Sequence, residues 1–169
     1  MLRKLIVITG PTAVGKTTIS IQIAKELKGE IISADSRQLY RRMEIATAKP
    51  SPAEQAQVPH HGLNLKDPDE RYSAGQFARF ARDSVEECWR QGTLPVVVGG
   101  TGLYIQALLD GLWAEEQPPD QVRHWLQVRL SIEGLEKLYA ELAKLDPPAH
   151  ARIAAKDTQR ILRDRKSVV

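Results

Sequence analysis

The run "VITGPTAVGKTTI", residues 7–19, constrains this chain more than any other. Gly10 to Thr17 reads G-x-x-x-x-G-K-T, a loop whose glycines let successive amides converge on one anion. Such a loop needs a buried strand before it and a helix after it, because the helix start adds unsatisfied donors and a positive dipole end. Both are present in the pattern. Leu5–Thr9 is a short, branched apolar run. Lys16–Lys28 has helical spacing, with Ile19, Ile23, Ala24 and Leu27 on one face and Gly29 to stop it. Gly10, Pro11, Thr12, Ala13, Val14, Gly15, Lys16 and Thr17 therefore form the expected phosphate cradle. Lys16 reaches the outer phosphate, and the Thr17 hydroxyl is offered to magnesium.

The pattern continues as Glu30–Ala34, a strand ending at Asp35, and later as Leu94–Val98, with Pro95 near its start where a missing donor costs least. Ser73 and Gln76 read as a capping box for a helix to about Arg90, which Gly92 ends. Its buried stripe is Phe77, Phe80, Ala81, Val85, Cys88 and Trp89. Thr101–Leu109 reads as a further helix after a double-glycine turn. Strands alternating with helices predict an α/β fold, a P-loop NTPase-like parallel sheet covered by helices. Three clear strands are fewer than such sheets usually contain. Residues 41–72 are rich in turn formers, and a loop of that length invites a functional role.

From Asp120 the character changes. "DQVRHWLQVRL" and "SIEGLEKLYAELAKLD" read as amphipathic helices, the second repeating Leu135, Leu138, Leu142 and Leu145 and ending at Pro147-Pro148. With Pro118-Pro119 as a boundary, residues 1–117 form the expected catalytic core, 118–158 a partial helical insertion, and 159–169 a segment returning to the core. Residues 152–169 hold six Lys or Arg against two Asp, so the chain's net charge of +3 is concentrated there. That favours a basic patch near the end of the chain over a generally basic surface. No run approaches the roughly 20 apolar residues of a membrane helix. "KLIVITG" is broken too soon for a secretory signal. A single cysteine, Cys88, excludes an internal disulfide and fits a reducing compartment, so a cytoplasmic location is expected.

No apolar strand ends in the acidic residue that often accompanies such a cradle, because Leu94–Val98 runs into Gly99-Gly100. Asp35 takes on interest instead, since ligands of open α/β sheets gather at the carboxyl ends of strands. It is a general base, an indirect magnesium ligand or a turn-forming Asp. In "VVVGGTGLY" the glycines permit close approach and Thr101 faces the same pocket; the plainer reading is a tight turn with Tyr104 in the core. Lys49, with Thr47 in the long loop, is either a phosphate clamp or an exposed lysine. His60 and His61 lack a nearby carboxylate or cysteine arrangement and read as structural rather than metal-binding. His124, Trp113, Trp125 and Met43 read as packing residues, and Cys88 as a core residue.

Taken together, "GPTAVGKT", "ISADSRQLY", "IATAKPS", "VPHHGLNLKDPDERYSAGQF", "VVVGGTGLYIQALLDGL" and "DTQRILR", in that order from Gly10 to Arg163, resemble the tRNA dimethylallyltransferase (isopentenyltransferase) family. The resemblance implies transfer of a dimethylallyl group from dimethylallyl diphosphate to N6 of the adenosine beside the anticodon's 3′ end. It implies that Thr12 to Thr17 hold the diphosphate with Mg2+ at Thr17, that Asp35 accepts or orients the N6 proton, and that Thr101 lies near the reacting carbon. It implies tRNA contacts from Asp35, Ser36, Arg37 and Gln38, and from Gln159, Arg160, Ile161, Leu162 and Arg163. A helical tRNA-binding insertion would begin after Trp113, and a monomer is expected.

Two departures stand out within these blocks. Ala46 and Arg42 occupy positions where the family more usually has glycine, so the local turns are expected to be altered. The ending "DRKSVV" also leaves the family's pattern, and a truncated member is expected. Two rival readings remain at this stage: a small P-loop nucleotide or metabolite kinase, which would bind ATP, and an inactive RNA-binding remnant.

Overall fold

The computed structural model describes residues 3–111 and 120–166. The roles expected of Trp113, the Pro118-Pro119 boundary and the last residues of "DRKSVV" lie outside them. The chain divides into two compact units, Met1–Trp113 and Ala114–Val169.

In the first unit, β1 (Ile6–Thr9), β2 (Gly29–Ser33), β3 (His60–His61) and β4 (Leu94–Gly99) form a four-stranded sheet in the order β1-β4-β2-β3. Every pairing is parallel, with Ile6 opposite Val96 and Ile31 opposite both Val96 and His60. Strand alternation sends adjacent apolar residues to opposite faces, so one sheet supports two cores. On one face, Ile31 and Val96 pack with Ile21 and Ala24 of α1 (Lys16–Glu26). On the other, Ile32 and Val97 pack with Phe77, Ala81 and Val85 of α3 (Ala74–Gln91) and with Tyr104, Ile105 and Leu108 of α4 (Gly102–Leu109). A four-residue helix, α2 (Pro52–Gln55), lies between β2 and β3.

The helix α1 keeps Ile23 and Ala24 of its expected face against the core and loses Ile19 and Leu27. Ser20, Ile21 and Ala24 are buried, whereas Ile19 and Leu27 are 51% and 52% exposed. The first turn of α1 emerges from the phosphate loop, so loop geometry fixes its rotation and hydrophobicity does not. Ser20 tolerates burial because its hydroxyl donates to the Thr17 carbonyl at 2.8 Å. By contrast, α3 starts and stops where its sequence predicts. Ser73 and Gln76 form the capping box, and Gly92 closes the helix at φ 76°. Phe80 and Trp89 are only half-buried on its stripe. The fourth strand, β3, was not foreseen, since two residues carry no periodic signal.

Where β2 and β4 leave the sheet, their backbones nearly touch. A Cβ at Gly99 would lie 2.1 Å from the Ala34 carbonyl oxygen, so only glycine fits. Ala34 donates to the Val98 carbonyl at 2.7 Å, and Thr101 donates back to the Ala34 carbonyl at 3.3 Å. These bonds fix Asp35 and Thr101 side by side.

The second unit is helical: α5 (Asp120–Glu133), α6 (Leu135–Leu145), α7 (Pro147–Arg152) and α8 (Thr158–Lys166). Leu138, Leu142, Ala149, Ile153 and Ile161 make its core. α6 stops at Leu145, just before Pro147-Pro148 as expected, and the two prolines also open α7. Prolines suit a first turn, whose N–H groups have no intrahelical partner, and Asp146 caps it by accepting from Ala149 N at 2.9 Å. Leu145 is exposed, as are His124 and Trp125, which were expected to pack. Trp125 instead lies beside Arg129, whose guanidinium carbon is 5.0 Å from its ring centroid. Arg129 also bridges Glu133 and Glu141. Among the described residues, no helix is long and apolar enough to cross a membrane.

Candidate active site

The phosphate loop bends through three unusual backbone settings: Gly10 at φ 155°, Ala13 at φ 67° and Gly15 at φ 85°. Gly15 leads into α1 with no side-chain cap, which leaves amides at the helix start for a ligand. Thr12, Ala13, Gly15, Lys16 and Thr17 line a cavity of about 570 Å³ at the carboxyl end of the sheet. Gly10 and Pro11 contribute differently: their carbonyls accept from Lys16 Nζ at 2.8 and 2.6 Å. Val14 faces outward and is exposed.

Asp35, Ser36, Arg37, Gln38 and Thr101 line the same cavity. Asp35 Oδ1 accepts from the backbone N–H groups of Arg37 at 2.8 Å and Gln38 at 3.3 Å. Asp35 is thus a turn former as well as a cavity residue, because one oxygen holds the turn that presents the carboxylate. Ser36 N donates to Thr101 Oγ1 at 3.0 Å, so the Thr101 hydroxyl keeps its own proton available for another acceptor. The Gln38 amide is engaged internally. Its oxygen accepts from Ser33 Oγ, and its nitrogen donates to the carbonyls of Thr47 and Ala48. Tyr104 belongs to the core, stacked on Phe77 with ring centroids 4.5 Å apart; burial pushes its pKa up to about 12.

The long loop supplies wall residues that no motif announces. Ala46, Thr47, Ala48 and Pro50 reach the cavity, as does His60 from β3. Arg42, Ala46 and Ala48 hold φ values of 60°, 59° and 49°. Ala46 and Arg42 thus hold side chains in a left-handed region that favours glycine. Lys49 is neither a phosphate clamp nor exposed. Its side chain is 1% exposed, and Nζ donates to the Tyr40 carbonyl, Glu44 Oε1 and Asn64 Oδ1 at 2.9, 3.1 and 2.8 Å. The loop folds around this ammonium, which accounts for its order without regular secondary structure.

At the other end of β2, His61 does have a carboxylate and a cysteine beside it. Glu30 Oε2 lies 2.6 Å from His61 Nε2, and Glu30 Oε1 accepts from Thr93 Oγ1 at 3.0 Å. One ligand atom each from Glu30, His61 and Cys88 fall within 4.8 Å of one another, a potential metal-coordinating cluster. Burial, then the neighbouring Glu30 charge, raises the Cys88 pKa, so the thiol stays protonated.

In the helical unit, Gln159, Arg160 and Arg163 are exposed on α8. Ile161 is 0% exposed within the helical core, and Leu162 packs against it. The helix turns Ile161 inward while its polar neighbours face out.

Two family models match the chain: IPP transferase over residues 38–167 and isopentenyl transferase over residues 3–61. The chain is 48% identical over 160 residues to the tRNA dimethylallyltransferase of Desulfosudis oleivorans, an alignment covering 95% of this chain and 51% of that protein. It is 46% identical over 163 residues to the tRNA dimethylallyltransferase of Halorhodospira halophila, covering 96% of this chain and 53% of that protein. Among solved structures, it resembles the full-length tRNA isopentenylpyrophosphate transferase of Bacillus halodurans at 40% identity and a TM-score of 0.66, covering 98% of this chain and 55% of the other. A eukaryotic dimethylallyltransferase acting on tRNA matches with a TM-score of 0.84 and 34% identity, covering 96% and 40%. The chain spans about half the length of the curated relatives it matches.

Proposed function

This chain belongs to the IPP transferase family, and we propose that it serves the transfer of a dimethylallyl group from dimethylallyl diphosphate to N6 of the adenosine beside a tRNA anticodon. The observation that carries this reading is the shared cavity, in which a phosphate loop faces Asp35 and Thr101. The adenine amine is a weak nucleophile, and the allylic carbon supports positive charge as its bond to oxygen breaks. Amides of the loop and Lys16 stabilise negative charge growing on the departing diphosphate. Lys16 Nζ, with two protons on the Gly10 and Pro11 carbonyls, has its third for the phosphate. Thr101, fixed through Ser36, donates its remaining proton beside the leaving group. Asp35 accepts or orients the amine proton, a role worth about 10²–10⁴-fold.

The hard oxygen of Thr17, in a cavity also lined by Asp35, suits Mg2+. When bound there, the ion supplies further neutralisation of the diphosphate charge. Residues 1–117 are the catalytic core in this reading, 118–158 a helical tRNA-binding insertion and 159–169 a returning segment. Gln159, Arg160 and Arg163 offer polar surface to tRNA phosphates. The setting is cytoplasmic, and the protein acts as a monomer.

Binding of dimethylallyl diphosphate and of ATP, measured side by side, together with mass detection of a C5 group on anticodon stem-loop RNA, tests the reading. Dimethylallyl diphosphate binding with mass gain supports it. Selective ATP binding with phosphoryl transfer replaces it with a kinase, and RNA binding without donor binding replaces it with a non-catalytic role.

A further inference from the structure

Among the described residues, one buried side-chain polar atom has no hydrogen-bond partner: Nε2 of His60. Its ring is held from the other side, with Nδ1 2.8 Å from the Val58 carbonyl oxygen. A carbonyl only accepts, so the proton sits on Nδ1 and the neutral ring presents a bare lone pair at Nε2. An unmatched buried acceptor costs about 1–3 kcal/mol, which marks a group awaiting a partner.

The surroundings narrow what that partner is. His60 pairs with Ile31 in the sheet and lines the same cavity as Lys16, Thr17 and Asp35. A diphosphate offers only acceptors and cannot satisfy a lone pair. Lys16, the other obvious donor, gives two of its three protons to Gly10 and Pro11 and the third to the diphosphate in the reading above. Water held by a divalent cation is a strong donor, because the ion polarises its O–H bonds. In other phosphate-loop proteins an acidic residue on a neighbouring strand helps hold the ion. Here β4 ends in Gly99-Gly100, and the acidic residue on the cavity wall, Asp35, follows β2 instead and spends one oxygen on its own turn.

We propose that Nε2 of His60 accepts a hydrogen bond from a water of the divalent cation accompanying the diphosphate, standing in for the acidic residue absent after β4. This rests on the diphosphate reading given above. Burial, the largest influence, lowers the His60 pKa and keeps the ring neutral; the nearby His61 acts in the same sense, while the Val58 bond and Glu54 oppose it. Lys16, Asp35 and Arg37 are the other charged residues on the cavity wall.

The test measures inorganic diphosphate binding to the whole chain with Mg2+ and with EDTA, in wild type, His60→Leu and His60→Gln. The Mg2+-dependent gain in affinity should fall about fivefold in His60→Leu, the scale of one hydrogen bond. His60→Gln, which retains an acceptor oxygen, should recover part of the gain, and affinity in EDTA should be the same in all three. An undiminished Mg2+ gain in His60→Leu overturns the proposal and leaves the diphosphate reading standing. Equal losses with and without Mg2+ also overturn it, since His60 would then contact the diphosphate or only shape the site. Nitrogen-15 spectra of the wild-type ring give an independent check: Nε2 should stay unprotonated with Mg2+ and diphosphate bound, and protonation there sinks the idea. Absence of diphosphate binding by the wild type overturns both this proposal and the reading beneath it.

Discussion

Glu30 and Asp35 stand at opposite ends of β2, and the two polar clusters built around them behave differently. At the amino end, Glu30 meets His61, Thr93 and Cys88 inside the fold, and its donors and acceptors match one another. At the carboxyl end, the groups around Asp35 face a cavity, and His60 Nε2 is unmatched. The residue types would not separate them. A cluster of Glu, His and Cys looks more chemical on paper than Asp, Thr and a lysine. What distinguishes a site from a structural network is therefore whether its polar groups are answered within the protein.

The strongest way to break this comparison is at Asp35. Asp35→Asn keeps an oxygen for the Arg37 and Gln38 amides but removes the proton acceptor. Single-turnover transfer should fall about 10²–10⁴-fold, while donor affinity stays within a few-fold of wild type. Unchanged turnover would reduce Asp35 to the turn-forming role its Oδ1 already plays.

The reciprocal experiment comes next in size. Glu30→Leu leaves His61 without its acceptor and Thr93 with the Cys88 carbonyl alone, and should cost about 1.5–3 kcal/mol of stability, read from denaturant midpoints. Diphosphate affinity of the folded variant should not change. A folded variant that loses diphosphate binding would show that the amino-end cluster serves the site after all.

How far the sequence discloses each end follows from the range of the forces involved. The phosphate loop, the capping box of α3 and the continuous apolar run of β4 are local devices, readable within a few residues. Asp35 and Thr101 were readable as strand-end residues, but the Ser36–Thr101 bond joining them depends on two strands meeting across Gly99. Nothing local placed Glu30 beside His61 and Cys88, because the three come from β2, β3 and α3. Lys49 escaped both of its expected roles for the same reason: its partners Tyr40, Glu44 and Asn64 are gathered by a loop without periodicity. The face of α1 is legible only in part: Ile23 and Ala24 reach the core as expected, while Ile21 and Ser20 are buried where Ile19 and Leu27 are expected. The place of Ile161 in the helical core depends on α6 and α7 and is not legible from α8 alone.

The smallest effect sharpens the comparison most finely, because it concerns backbone rather than side chains. Ala46 sits on the cavity wall at φ 59°, flanked by Arg42 at 60° and Ala48 at 49°, in a loop pinned by Lys49. An L-residue held there carries roughly 1–2 kcal/mol of steric cost, which a glycine would relieve. Glycine gives back part of that through its greater freedom in the unfolded chain, roughly 0.5–1 kcal/mol. Ala46→Gly should therefore stabilise the first unit by about 0.5–1 kcal/mol, seen as a higher denaturant midpoint at unchanged slope. If the cavity end tolerates strain because its wall must take this shape, diphosphate affinity should be the same in both forms. A destabilised Ala46→Gly would mean that the left-handed turn carries no strain there, and the contrast between the two ends of β2 would then rest on side-chain partners alone.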